Sequence, residues 1–169
     1  ALAFYYDPPY CLRLLDPDLD SNNRFILDDS LMRDASALSN PGRILREPAA
    51  SMPEFYNPEP PHGWCYHFQK AELARQFGDW DEVNHPADAA FKLDEHFNNP
   101  VELFVFIEGY AHAGDWAEAI KLSKEARRVS KNYVDPLLCK LWRRIEAETT
   151  PSGERSGALS EIHQLSSCG

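Results

Sequence analysis

The sequence predicts a mainly α-helical fold: antiparallel helical hairpins stacked as an α-solenoid of two to three repeats, preceded by an extended, proline-rich arm. Three observations predict it. The tripeptide Gly-Asp-Trp occurs at Gly78-Asp79-Trp80 and again at Gly114-Asp115-Trp116, 36 residues on. Glu82 and Glu118, Ala90 and Ala126, and Pro100 and Pro136 fall on the same offset. A period in the mid-thirties is that of stacked helix-turn-helix units. Nine of the 13 prolines lie in residues 1–61. From Trp64 onward, apolar residues recur at helical spacing. The chain therefore divides into an arm, 1–61, and a helical repeat domain, 62–169.

The arm should be extended or looped, because proline removes a backbone donor and disfavours helix at the residue before it. One short helix is expected around Ser30–Leu38, where Leu31, Ala35 and Leu38 keep helical spacing. Phe4, Tyr5, Tyr6, Tyr10, Leu12, Leu14, Leu15, Phe25, Ile26, Leu27, Phe55 and Tyr56 call for burial, so the arm should wrap over the helices. The first helix is expected over Gly63–Phe77, ended by Gly78 as a left-handed cap. The second starts near Asp79 and meets Pro86, which should kink or restart it. Asn99-Pro100-Val101-Glu102 reads as a capping box opening the third helix, which Gly114 ends. The fourth carries Trp116, Ala119, Ile120, Ser123 and Ala126. Asp135-Pro136 should open the fifth, with Leu138, Leu141, Trp142 and Ile145. After a loop over Thr149–Gly157, Ala158, Leu159, Ile162 and Leu165 suggest a short closing helix.

The net charge is −10. Residues 1–100 hold 17 acidic against 8 basic side chains, so the acidity sits in the first part. A negative protein repels nucleic acid and anionic membrane surfaces, and neither is an expected partner. Lys121, Lys124, Arg127, Arg128 and Lys131 read as the solvated face of one helix. The apolar run Leu103–Ile107 is far short of the roughly 20 residues needed to cross a membrane. The opening Ala1-Leu2-Ala3-Phe4-Tyr5-Tyr6, without Met, fits either the trailing edge of a removed membrane segment or an arbitrary boundary.

The repeat positions resemble the tetratricopeptide (TPR) family. Gly78 and Gly114 match its turn glycine, Trp80 and Trp116 its aromatic position in the second helix, and Ala90 and Ala126 its later alanine. Pro100 and Pro136 match the proline before the next repeat. The period of 36 and Ile107 at a small-residue position depart from that pattern. The stretches Tyr6–Pro17 and Pro58–Gln76 resemble the soluble C-terminal region of bacterial multi-pass membrane proteins of the dolichyl-phosphate-mannose glycosyltransferase type. That resemblance implies an extracytoplasmic tail, periplasmic or at the cell surface, joined to a membrane through an N-terminal region missing here. The family's catalytic residues have no matching positions in this chain. If the chain is extracytoplasmic, a Cys11–Cys65 bridge pinning arm to first helix is expected; the alternative is four separate thiols, with Cys139 buried.

Signals for chemistry are sparse. Asp16-Pro17-Asp18-Leu19-Asp20 begins like a calcium loop, but Ser21 and Leu27 stand where the turn glycine and bidentate glutamate are needed, so a capped turn is expected. His62, His67, His85, His96, His112 and His163 form no His-Glu-x-x-His or comparable pair, and no metal or other cofactor is expected. Glu72 and Glu108 could face each other on neighbouring helices, as paired carboxylates do in glycoside hydrolysis. Acidic residues on such helices are ordinary in repeat proteins, so the expected function is non-catalytic: an interaction or scaffold domain. The alternative is a freestanding, cytoplasmic TPR-like adaptor binding a peptide or partner protein. The repeat register puts Phe68, Glu72, Arg75 and Gln76, then Phe104, Glu108 and His112, then Lys140 and Arg144 on a concave face. Aromatic, acidic and basic groups together suit a peptide, protein or glycan. The alternative is that the arm itself fills that groove.

Overall fold

The computed structural model describes residues 1–21, 23, 30–46 and 61–168. It is mainly helical. The arm contributes β1 (Phe4–Tyr5), β2 (Arg13–Leu14), α1 (Pro17–Asp20), α2 (Ser30–Ala37) and a 3-10 turn at Pro41–Arg43. Six helices follow: α3 (Trp64–Gln76), α4 (Trp80–Ala90), α5 (Phe104–His112), α6 (Trp116–Val129), α7 (Lys131–Glu148) and α8 (Gly153–Ser166). No helix among the described residues is long and apolar enough to cross a membrane.

The two Gly-Asp-Trp sites make the same turn. Gly78 and Gly114 have φ of 66° and 81°, a left-handed conformation that a side chain would strain. The amides of Asp79 and Asp115 donate to Ala74 and Tyr110, five residues back. Those of Gly78 and Gly114 donate to Arg75 and Ala111, three back. This double bond pattern satisfies the last carbonyls of α3 and α5. A turn so short reverses the chain, and α3 packs on α4 as α5 packs on α6. α7 packs on α8. α5 also touches α3 and α7, so α3, α5 and α7 form one row. Trp80 and Trp116 are half-buried at equivalent helix starts, Trp80 stacked on His112 and Trp116 tilted against Trp142.

The core runs through Trp64, Phe68, Val83, Phe104, Phe106, Ile107, Leu138, Trp142 and Ile162. Gly109 sets the approach of α4 to α5: a Cβ there would lie 2.5 Å from Val83 Cγ1. Asn84 Nδ2 donates to the Gly109 carbonyl at 3.1 Å across the same contact. Buried Trp142 donates its Nε1–H to Ser123 Oγ at 3.0 Å, tying α7 to α6.

Several boundaries differ from the sequence reading. α4 continues through Pro86 without restarting. α7 begins at Lys131 and also continues through Pro136, which costs one hydrogen bond near the helix start. α8 starts at Gly153, where Ser152 Oγ accepts from the Arg155 amide. Asn99 caps the Val101 amide, but residues 100–103 form a 3-10 turn ahead of α5, and Glu102 is turned to other partners.

The arm packs differently from expectation. Phe4 and Tyr6 are exposed, at 52% and 64%, as is Leu12. Cys11, Arg13, Leu15, Asp16, Leu19 and Asp20 are buried instead. Phe25, Ile26, Leu27, Phe55 and Tyr56 lie outside the described residues. Two disulfides close the structure, Cys11–Cys65 between arm and α3 and Cys139–Cys168 between α7 and the C-terminus. The second was not foreseen: Cys139 is buried, as a core residue would be, and its partner lies 29 residues on.

Candidate functional site

The α3–α5–α7 row carries a buried cluster of charges, and the arm supplies its last member. Arg75 projects from α3, Glu108 from α5 and Arg144 from α7, each on the side where α1 packs against α7. Arg144 Nε and Nη2 donate to the two oxygens of Glu108 at 2.7 and 2.9 Å. Such a planar fork matches a carboxylate edge to edge. The remaining Nη1 donates to Asp16 Oδ2 at 2.6 Å. Arg75 reaches the same oxygen at 3.5 Å, donates to Glu72 at 3.1 Å and lies 3.9 Å from Glu108.

Asp16 has a second role. Its Oδ1 accepts from the amides of Asp18 and Leu19, making it the N-cap of α1. Asp20 locks the same corner, accepting from the Asp16 amide, from Arg13 Nη2 and from Asn23 Nδ2. The suspected calcium-loop start is thus a capped turn whose carboxylates point at nitrogen donors. Burial opposes ionisation of Asp16, but Arg144 and Arg75 outweigh it and hold its carboxyl below the usual range. For Glu108 burial wins over the pull of Arg75 and Arg144, and its carboxyl is pushed up. Burial likewise opposes the charge on Arg75, but Glu72, Glu108 and Asp16 overcome it and raise its pKa.

Glu102 is a second anchor. It is fully buried and accepts from Trp64 Nε1 at 2.8 Å and from the Cys11 amide at 3.0 Å. Beside it, Asn98 Nδ2 donates to the Pro9 carbonyl. The arm is thus fixed at Cys11 by a disulfide and a buried carboxylate, and at Asp16 by two guanidiniums.

The nine residues assigned to a concave face separate into groups. Glu72, Arg75, Glu108 and Arg144 do meet, but around Asp16 of the arm. Lys140 also engages the arm, donating to the Asp18 carbonyl and Ser21 Oγ. Phe68 and Phe104 are core residues, 1% and 5% exposed, so neither has a free face for stacking on a ligand. Gln76 lines a shallow groove of about 260 Å³ with Phe4, Leu12, Leu14, Ile44 and Leu73. The Glu72–Glu108 pair is bridged by Arg75, and each Glu108 oxygen accepts one hydrogen bond from Arg144.

His112 lies beside the cluster, where the sequence reading found no ligand pair. Its ring stacks on Trp80 with centroids 3.6 Å apart and planes within 7°. Burial lowers its pKa, against the upward pull of Glu148. Ligand atoms of Glu108, His112 and Glu148 all lie within 4.8 Å of one another. The available signal was the Glu108–His112 spacing of four on one helix; Glu148 comes from the far end of α7, and nothing local marks it.

A scan against protein-family models found no match, and neither did searches of curated proteins and of solved structures.

Proposed function

We propose that this chain is a non-catalytic interaction or scaffold domain of an extracytoplasmic protein, built of TPR-like hairpins whose inner face is occupied by its own arm. The observation that carries the reading is Asp16 seated between Arg75 and Arg144. Charges that would otherwise face a ligand are engaged within the chain. The equivalent turns at Gly78 and Gly114 support the repeat reading. The pairing of all four cysteines supports an oxidising compartment, where disulfides persist. The tail of a glycosyltransferase-like membrane protein is the parent that the resemblance of Tyr6–Pro17 and Pro58–Gln76 favours.

On this reading a partner protein or peptide meets the outside of the arm–α3 junction. Phe4, Leu12 and Leu73 stand exposed there around the shallow groove. A photo-crosslinking residue at Leu73 in the intact parent protein tests it. Crosslinks to one partner species, lost on Leu12→Glu, support the reading. Absence of any crosslink, in cells where the protein is present and folded, counts against it. Labelling intact cells with a membrane-impermeant thiol reagent tests the compartment: no label on this chain before impermeant reduction and label after it is expected, and no label after reduction contradicts it.

A further inference from the structure

We propose that Glu108, His112 and Glu148 form a Zn²⁺ site where α5 meets the end of α7. The three groups have their ligand atoms within 4.8 Å of one another. One imidazole and two carboxylates is a donor set that zinc accepts, with a fourth position left for water. Tetrahedral bonds of roughly 2.0–2.2 Å put neighbouring ligand atoms about 3.3–3.6 Å apart. His112 Nε2 and Glu148 Oε2 already stand 3.5 Å apart.

An independent observation points to a ligand. The His112 side chain is 10% exposed, and its buried Nε2 makes no well-aligned hydrogen bond, the nearest acceptor being Glu148 Oε2 at 3.5 Å. A buried imidazole nitrogen left with only a long, poorly aligned contact is costly, and a metal bond shared with that carboxylate would satisfy it. Stacking on Trp80 holds the ring plane, so the nitrogen is aimed rather than mobile. Glu108 is held by the Arg144 fork, the kind of outer support that orients a ligating carboxylate. Each of its oxygens has two lone pairs, and the fork engages one on each. Glu148 is about half-exposed and can close the remaining gap.

Charge favours the ion as well. Asp16, Glu72 and Glu108 face Arg75 and Arg144, and Glu148 faces His112, which makes four carboxylates to two guanidiniums. That surplus of two negative charges matches one divalent cation. The imidazole sets the selectivity: Ca²⁺ and Mg²⁺ take all-oxygen shells, so neither is expected to compete with zinc at a site that includes a nitrogen donor.

The test is Zn²⁺ titration of the full chain after chelator dialysis, followed by calorimetry and tryptophan fluorescence. One saturable equivalent is expected, with a fluorescence change from Trp80 as its stacked partner binds the ion. Glu148→Gln, on a half-exposed side chain, should weaken binding at least tenfold with unchanged far-ultraviolet circular dichroism. His112→Gln should weaken it similarly and abolish the fluorescence change. His163→Gln, on α8, should leave both intact. No saturable equivalent, an equivalent unaffected by both site variants, or Ca²⁺ displacing the zinc would each overturn the proposal.

Discussion

Asp16 shows how one side chain can fix a segment from both ends. One oxygen caps α1, and the other joins Arg75 and Arg144, 59 and 128 residues away in sequence. Removing one partner from a buried ion group leaves the others uncompensated, which typically costs about 3–5 kcal/mol. Asp16→Asn should lower stability by roughly 3 kcal/mol in denaturant unfolding, the amide keeping the cap but not the charge. The pH dependence follows the depressed carboxyl. Its stabilisation is complete above the unfolded value near 4 and is lost as pH falls through the lower folded value. His112, also depressed, contributes fully above the ordinary histidine value and loses that contribution as pH falls through its lower folded value. Raised Glu108 has the opposite sign, favouring the fold at low pH and penalising it above its folded value. Thermal melts should therefore show a loss in the acid limb that Asp16→Asn diminishes. Gly109→Ala should destabilise by about 1–3 kcal/mol, since the added methyl meets Val83 and Asn84 head on.

At the scale of elements, the arm is attached by covalent and ionic anchors more than by aromatic burial. The Cys11–Cys65 bridge spans 54 residues and should contribute about 4 kcal/mol in the chain-entropy model; Cys139–Cys168, spanning 29, should contribute roughly 3.6. Paired Cys11→Ser and Cys65→Ser should lower the unfolding free energy by that order while α3–α8 keep their helical signal. What was legible here was local. Gly78 and Gly114 announce turns because a left-handed cap needs only its own few residues, and Ser30–Ala37 follows from its apolar spacing. Asp16 read as a cap, and is one, but its guanidinium partners lie in other helices and leave no local trace. Repeat register puts Phe68 and Phe104 on an open face, yet both lie in the hydrophobic core. Asn99 and Pro100 make Glu102 read as part of a capping box, whereas its partners include Trp64 and Cys11. The sequence marks Pro136 as a helix start; Lys131–Asp135 extend the helix backward, with Val134 fully buried and Arg127 paired with Asp135 at 2.7 Å.

For the whole molecule, the helical row α3–α5–α7 is one wall, and the arm's stretch Cys11–Asp20 is laid against it. The wall has the makings of a ligand surface, with acids and bases in register on successive helices, but its own arm occupies the centre. The central claim is that this arm is part of the folded structure, and amide hydrogen exchange tests it most directly. In oxidised protein near neutral pH, the Cys11 and Asp16 amides, which donate to Glu102 and Asp20, should be protected to the same degree as those of α3. Exchange of residues 11–20 at the rate of an unstructured chain, with α3 still protected, would contradict the account.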